Sequence, residues 1–120
     1  MSTASTSEVL NKAADLIEQR GWGVGPEAWG TGSKLCLEGG ILAAMDMTDD
    51  YLTGAAEPWN ALRTCPAYRA VKDYLVSTAD LEPDDSLWVF NDASAAERVI
   101  GVLRTTALIE AARERESVEV

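Results

Sequence analysis

The chain has 120 residues, no histidine and a formal net charge of −10. This length fits one domain, and a hydrophobic fraction of 47% is ordinary for a globular protein with a single core. Because histidine is the side chain most used for proton transfer near neutral pH and for binding transition metals, we expect no metal or other cofactor. The acidic charge opposes binding to DNA, RNA or anionic membranes and favours basic partners.

The cysteine content and the hydropathy pattern predict a reduced, cytoplasmic protein. Cys36 and Cys65 form neither a CxxC pair nor the disulfide framework typical of small secreted domains. Residues 1–7 are polar and lack the apolar core of a secretory signal. The longest apolar stretch, residues 39–45, is too short to cross a bilayer.

The first predicted helix begins at Ser5, because Ser5 and Glu8 have capping-box spacing. Apolar residues then recur at helical spacing and define one face. They are Val9, Leu10, Ala13, Leu16 and Ile17. Gly21 can adopt a positive φ and therefore predicts the helix end.

A Gly/Trp-rich loop follows, over residues 21–32. It contains five glycines together with Trp22 and Trp29. We expect the two large aromatic side chains to hold this loop against the body of the protein, although glycine favours flexibility.

The second helix is predicted over residues 34–47, with Ser33 as its N-cap. Gly39 and Gly40 lie inside it and cost about 1 kcal/mol each relative to alanine. We expect the close approach of another backbone to compensate for this cost and to place the helix at the centre of the fold.

The second half of the chain contains two further helices and one extended segment. Pro66 predicts a helix that runs to about Ala79. The apolar run Leu87–Phe90 predicts a short extended segment beside the Gly/Trp-rich loop. Ser94 and Glu97 have capping-box spacing and begin the last helix, which should pack against the first.

These elements predict a mainly α-helical fold, a compact bundle of four to five helices. Pro58 also suits a first helical turn. We expect a single domain over residues 5–112. Residues 1–4 and 113–120 are predicted to be loosely ordered, since the charged end after Glu110 should fray.

Cys36 is the candidate nucleophile, because the start of a helix can lower the pKa of a thiol. A base would have to come from Asp92 or Glu38, since histidine is absent. The favoured alternative is a buried structural thiol, which is the usual state of a free cysteine.

Asn91 and Asp92 precede the last helix and have two interpretations. They form a polar site against the Gly/Trp-rich loop, or they cap free backbone N–H groups, which is the favoured interpretation. A buried side chain at this position would tie Trp22 or the loop backbone into place. The first interpretation gives a candidate pocket of Trp22, Cys36, Asn91 and Asp92.

The sequence has two long gaps without any Lys or Arg, one between Lys34 and Arg63 and one between Lys72 and Arg98. Five carboxylates lie in the first gap and seven in the second. If both stretches share a face, that face attracts a basic protein surface or imitates a phosphate backbone. The candidate interaction surface consists of Trp29, Asp49, Asp50, Trp59, Glu82, Asp84 and Asp85. Trp22 and Trp88 are expected in the core.

The order of several short motifs resembles an uncharacterised family of small actinobacterial, proteobacterial and phage proteins. That family has a Gly-Trp … Cys-x-x-Gly-Ala-Leu … Trp-Asn-Asp pattern. The matching segments here are Gly21-Trp22, residues 36–41 and residues 88–92. Gly40 replaces the usual alanine, Phe90 replaces tryptophan, and the turn after Asp92 is shorter. The resemblance implies a common fold and a bacterial or phage setting, and it implies no reaction.

The sequence favours a non-enzymatic, acidic protein-interaction module, such as a phage accessory or host-modulating protein. Its partner would be a protein with a basic surface or a second copy of itself. One alternative is an enzyme or small-ligand binder that uses the pocket of Trp22, Cys36, Asn91 and Asp92. Another is a DNA mimic that inhibits a nucleic-acid-binding protein.

Overall fold

A computed structural model describes residues 5–23, 34–45 and 65–118. These residues form five helices, which we number α1 (Thr6–Arg20), α2 (Leu37–Ala44), α3 (Pro66–Ser77), α4 (Leu87–Asp92) and α5 (Ala96–Val118). The only β-type pairing in these ranges is one isolated parallel bridge between Trp22 and Leu35. The prediction of a mainly α-helical bundle is confirmed.

Several predicted features lie outside the described residues. They are Ser33, Pro58, the candidate surface residues Trp29, Asp49, Asp50 and Trp59, and the Gly/Trp-rich loop after Gly23. The described helices include none that is long and apolar enough to cross a membrane.

The start of α1 has the predicted capping box. The Ser5 hydroxyl accepts a hydrogen bond from the Glu8 N–H at 3.2 Å, and the Glu8 carboxylate accepts one from the Ser5 N–H at 3.1 Å. These two bonds satisfy backbone groups that a helix start otherwise leaves without partners. The helix ends at Gly21, which adopts a φ of 97°.

The first and last helices pack against each other, as predicted, and polar contacts fix both ends of the pair. The Glu114 carboxylate accepts hydrogen bonds from the hydroxyl of Ser7 at 2.6 Å and from its backbone N–H at 3.3 Å. Near the other end of α1, Arg104 pairs with both Asp15 and Glu18. α5 continues through Val118, into the charged segment after Glu110.

α2 is the central helix, and all eight of its residues are buried. A Cβ atom added at Gly40 would lie 2.8 Å from Ile17 Cδ1 and 3.5 Å from the backbone oxygen of Ala13. The α1 backbone does approach Gly40, as predicted, at van der Waals distance, and the tightest contact of an added Cβ would be with the Ile17 side chain. The helix begins at Leu37, three residues later than predicted, because Leu35 pairs with Trp22 and Cys36 is the N-cap.

The prediction of an extended segment at Leu87–Phe90 is wrong, because these residues begin α4. The buried residues of α4 are Leu87, Phe90 and Asn91, and their spacing of three and four residues defines one helical face. A run of four apolar residues is compatible with either a strand or a buried helix, so its periodicity could not distinguish them.

The predicted capping box at Ser94 is also wrong, by one residue. The carbonyl of Ala95 accepts the first helical hydrogen bond of α5, from the Val99 N–H at 3.1 Å. The Ser94 N–H instead bonds to the Asn91 carbonyl at 3.2 Å and helps to terminate α4. α4 is held against α5 by Arg98, whose guanidinium lies 5.3 Å from the centre of the Phe90 ring.

Candidate functional site

The side chain of Asn91 joins three segments that are distant in sequence. Its Oδ1 atom accepts hydrogen bonds from the Trp22 indole N–H at 2.8 Å and from the Leu37 backbone N–H at 2.9 Å. Its amide nitrogen donates to the Gly23 carbonyl at 3.2 Å and to the Asp92 carboxylate at 3.3 Å. The prediction that a buried side chain here ties Trp22 and the loop backbone into place is confirmed for Asn91, which is 1% exposed.

Asn91 also caps a helix, although not the one that follows it in sequence. Leu37 is the first residue of α2, and its N–H would have no partner inside the helix. Because Asn91 supplies that partner, both of its polar atoms are engaged by protein groups. Asp92, in contrast, is exposed and belongs to the surface.

Cys36 lies at the N-cap of α2 and is sealed from solvent. Its side chain is 3% exposed, and its sulfur accepts a hydrogen bond from the Gly39 N–H at 3.2 Å. Burial and, to a smaller extent, the neighbouring Glu38 carboxylate raise the pKa of the Cys36 thiol to about 11, although the hydrogen bond from the Gly39 N–H opposes this shift. The thiol therefore stays protonated at neutral pH, which is the opposite of an activated nucleophile.

A second buried polar group lies beside this thiol. Glu38, the candidate base, occupies the first turn of α2 and is 2% exposed. Its neighbour Tyr68 accepts a hydrogen bond from the Leu87 N–H at 3.3 Å. Burial and the Glu38 charge raise the pKa of Tyr68, while the bond to Leu87 lowers it. Burial is the main cause of the raised pKa of both Cys36 and Tyr68, and Glu38 adds to it in each case.

The structure thus brings most of the predicted pocket residues together. They form a hydrogen-bonded junction between segments of the chain and not an open pocket. Trp22 contacts Asn91 directly, and Cys36 precedes the backbone N–H that Asn91 caps. Two surface clefts, of about 430 and 310 Å³, are lined by other residues of α3, α5 and the segment before α4. Within the described ranges, no group of three or more Cys, Asp and Glu side chains is arranged to hold a metal ion.

The acidic segment before α4 lies next to an exposed tryptophan. Trp88 is 51% exposed, so its expected place in the core is wrong. The inward face of α4 is occupied by Leu87, Phe90 and Asn91, and Trp88 therefore faces solvent. Asp92, one helical turn further along α4, shares its face. Sequence reasoning missed Trp88 because it treated the Leu87–Phe90 run as extended.

The carboxylates around Trp88 differ from Asp80, which begins the same acidic segment. Asp80 pairs with Arg98 at 2.5 Å, and its pKa is lowered by the hydroxyl of Thr78 and by Arg98. The other four carboxylates of this region are Glu82, Asp84, Asp85 and Asp92. In the described part of the chain, no Lys or Arg forms an ion pair with any of them.

A family comparison matches nearly the whole chain. The matching family is described as a family of unknown function, DUF6197, and the match covers residues 1–108. The chain belongs to this family. No curated protein and no solved structure gives a significant match. The prediction that the chain belongs to an uncharacterised family is therefore confirmed.

Proposed function

We propose that this protein is a non-enzymatic, acidic interaction module that binds a protein with a basic surface. The contact surface consists of Trp88, Asp84, Asp85 and Asp92, and we call it the Trp88 surface. The observation that carries the proposal is the half-exposed Trp88, which is flanked in sequence by carboxylates without basic partners among the described residues. The setting proposed is the cytoplasm of a bacterium, with a phage accessory or host-modulating role.

Trp88 supplies the apolar part of such a contact. Tryptophan is enriched among the few residues that dominate binding energy, because it buries a large area at a small entropic cost. The exposed side chain also has no evident role in the core, since α4 is anchored by Leu87 and Phe90. A large aromatic group left in water is more easily explained by binding than by stability.

The carboxylates supply direction and specificity. A cluster of negative charge accelerates the approach of a basic partner and disfavours acidic ones, including nucleic acids. Because Asp84 and Asp92 are exposed and Asp85 is partly exposed, dissolved salt screens these carboxylates, and binding should weaken as the salt concentration rises.

The alternative of an enzyme or small-ligand pocket at Trp22, Cys36, Asn91 and Asp92 has weaker support. Cys36 is buried with a raised pKa, and Asn91 uses its polar atoms on protein groups. A DNA mimic would need carboxylates spaced like phosphates along one elongated face. Asp49 and Asp50, which such a face would require, lie outside the described residues.

The proposal is tested by affinity capture from a bacterial host, followed by binding measurements with the purified partner. We expect Trp88→Ala to weaken binding by about 30-fold, the loss typical of a central tryptophan. Reversing charge at Asp84 and Asp85 to lysine should weaken it further and reduce its salt dependence. Leu108→Ala, which removes another exposed apolar side chain at 73% exposure, is the matched control and should have no effect.

Two results would overturn the proposal. One is a partner whose binding is insensitive to salt and to the substitutions at Trp88, Asp84 and Asp85. The other is a tight complex formed with the Cys36 thiol or through residues of the buried junction. Light scattering of the purified protein separates a foreign partner from a second copy of the chain, and competition with DNA tests the mimic.

A further inference from the structure

A surface cleft of about 430 Å³ lies between α3 and the segment that leads into α4. Its volume falls within the range of small-molecule sites, which is roughly 300–1,000 Å³. The residues that line it are Tyr68, Arg69, Lys72, Asp73, Asp84 and Ser86. Five of these six side chains are polar and lie at least partly exposed, whereas Tyr68 is buried.

The cleft has a cationic wall. Arg69 and Lys72 are three residues apart on α3 and therefore lie on the same face of the helix. Neither forms an ion pair with a described carboxylate, whereas Arg98, Arg104 and Arg113 all do. In a chain with a net charge of −10, two such cations at one cleft form a rare site for an anion. The planar guanidinium of Arg69 suits a carboxylate or phosphate in particular.

The same cleft has an anionic part. Asp73 and Asp84 line it together with the two cations. A ligand that carried only negative charge would be repelled by these carboxylates, and one that carried only positive charge would be repelled by Arg69 and Lys72. A ligand that carries both charges satisfies all four side chains.

The floor of the cleft is held in place by the core. Tyr68 is 4% exposed, and its hydroxyl accepts a hydrogen bond from the Leu87 N–H at 3.3 Å. This bond joins α3 to α4 across the cleft, so its two sides keep a fixed separation. A site with fixed walls binds a ligand at a lower entropic cost than one that must form on binding.

We propose that this cleft binds a small dipolar molecule, one that carries a carboxylate or phosphate group close to an ammonium group. Arg69 and Lys72 hold the anionic group, and Asp73 and Asp84 hold the ammonium group. The site is distinct from the buried junction at Asn91 and does not depend on Trp88, although it shares Asp84 with the Trp88 surface.

The test is a titration of the isotopically labelled protein followed by amide chemical shifts. O-phosphoethanolamine and β-alanine are the dipolar probes, and they separate a phosphate from a carboxylate preference. Inorganic phosphate and ethanolamine are the single-charge probes. We expect at least one dipolar probe to shift the amides of residues 68–73 and 84–87, with a Kd about tenfold lower than that of either single-charge probe.

Variants test the roles of the two walls. Arg69→Gln and Lys72→Gln should each raise the Kd of the dipolar probe by about tenfold. Asp84→Asn should weaken the binding of the dipolar probe but strengthen the binding of inorganic phosphate. General unfolding cannot produce these two opposite changes, because it would weaken both. Arg115→Gln is the matched control for lost positive charge, and Trp88→Ala separates this site from the Trp88 surface; neither should change binding.

The proposal is overturned if neither dipolar probe saturates these amide shifts. It is also overturned if inorganic phosphate binds as tightly as O-phosphoethanolamine and β-alanine, because the carboxylates would then contribute nothing. The comparison of probes uses the unmodified protein, so it stands even if one variant fails to fold.

Discussion

The indole N–H of Trp22 donates a 2.8 Å hydrogen bond to the side-chain oxygen of Asn91, which lies 69 residues later in the chain. The same oxygen accepts the Leu37 N–H, so one buried atom connects the end of α1, the start of α2 and the end of α4. Asn91 therefore stabilises the packing of three elements, through a buried hydrogen bond to Leu37 and partly buried ones to Trp22 and Gly23.

Asn91→Ala is expected to lower the free energy of unfolding by about 3 kcal/mol. The substitution leaves the Leu37 N–H and the Gly23 carbonyl without this partner, and unsatisfied buried polar groups cost about 1–3 kcal/mol each. Urea unfolding measures the loss, and the fluorescence of Trp22 should shift to longer wavelength. Asp92→Ala is the matched control on the next residue and should change stability by less than about 0.5 kcal/mol. Equal losses for the two variants would contradict the role of Asn91.

Cys65 should react with iodoacetamide before Cys36 in the folded protein at neutral pH. Cys36 is buried at 3% exposure, whereas Cys65 is only partly buried. Mass spectrometry of peptides after timed alkylation distinguishes the two sites. We expect Cys36 to react at a comparable rate only in denaturant. Rapid alkylation of Cys36 without denaturant would show an accessible thiolate and would reopen the catalytic interpretation.

The stability of the protein should fall between pH 9 and pH 11 because of Cys36. The pKa of this thiol is raised from 9.0 to about 11 in the folded state, so the unfolded state loses its proton first. The stabilisation is fully present below pH 9 and is lost as the pH rises through 11. Two pH units correspond to about 2–3 kcal/mol.

Cys36→Ser is the control for this pH dependence, because serine can keep the N-cap bond to Gly39 without a titrating thiol. The difference in unfolding free energy between the two proteins, measured by urea unfolding at each pH, should shrink above pH 9. Tyr68 also has a raised pKa, but it is present in both proteins and cancels in the difference. A constant difference from pH 7 to pH 11 would contradict the raised thiol pKa.

Two glycine-to-alanine substitutions should have opposite effects. Gly101 lies inside α5 with no atom within 4 Å of an added Cβ, so Gly101→Ala should stabilise the protein by about 0.5–1 kcal/mol. Gly40→Ala should destabilise it by about 1–2 kcal/mol, because the new methyl group meets Ile17 Cδ1 at 2.8 Å. Thermal or urea unfolding measures both effects.

The cause of the Gly40 effect can be isolated with Ile17→Val, which removes the Cδ1 atom. Alone, this change should cost about 0.5–1.5 kcal/mol. Combined with Gly40→Ala, it should cost less than the sum of the two single changes, because the 2.8 Å contact with Cδ1 is removed and only the 3.1 Å contact with Cγ1 remains. Additive losses would show that another contact limits the space at Gly40.

The helices with strong local signals could be predicted from the sequence. The capping box of Ser5 and Glu8 and the position of Pro66 each fix a helix start through contacts within a few residues. The central place of α2 also followed from Gly40, because a glycine inside a helix indicates that a neighbour lies close. These features depend on a few neighbouring residues or on one residue type, so they can be recognised in the sequence alone.

The features that were missed depend on long-range packing. Whether residues 87–90 form a strand or a helix depends on what covers them, and so does the exposure of Trp88. The cleft at Arg69 and Lys72 was not predicted from the sequence. Asp84 lines the same cleft only because the chain folds, and the sequence does not show that proximity. The connection of Asn91 to Trp22 was foreseen from the polar Asn-Asp pair, whereas its bond to Leu37 was not.

The bonds between Ser7 and Glu114 have a consequence for synthesis on the ribosome. They join residues 107 positions apart, and α5 covers much of the apolar face of α1. α1 leaves the ribosome well before α5, so the part of its hydrophobic face that α5 covers stays in water until that later helix has been translated. Nascent chains that stall before α5 emerges should therefore be held by chaperones that bind exposed apolar segments.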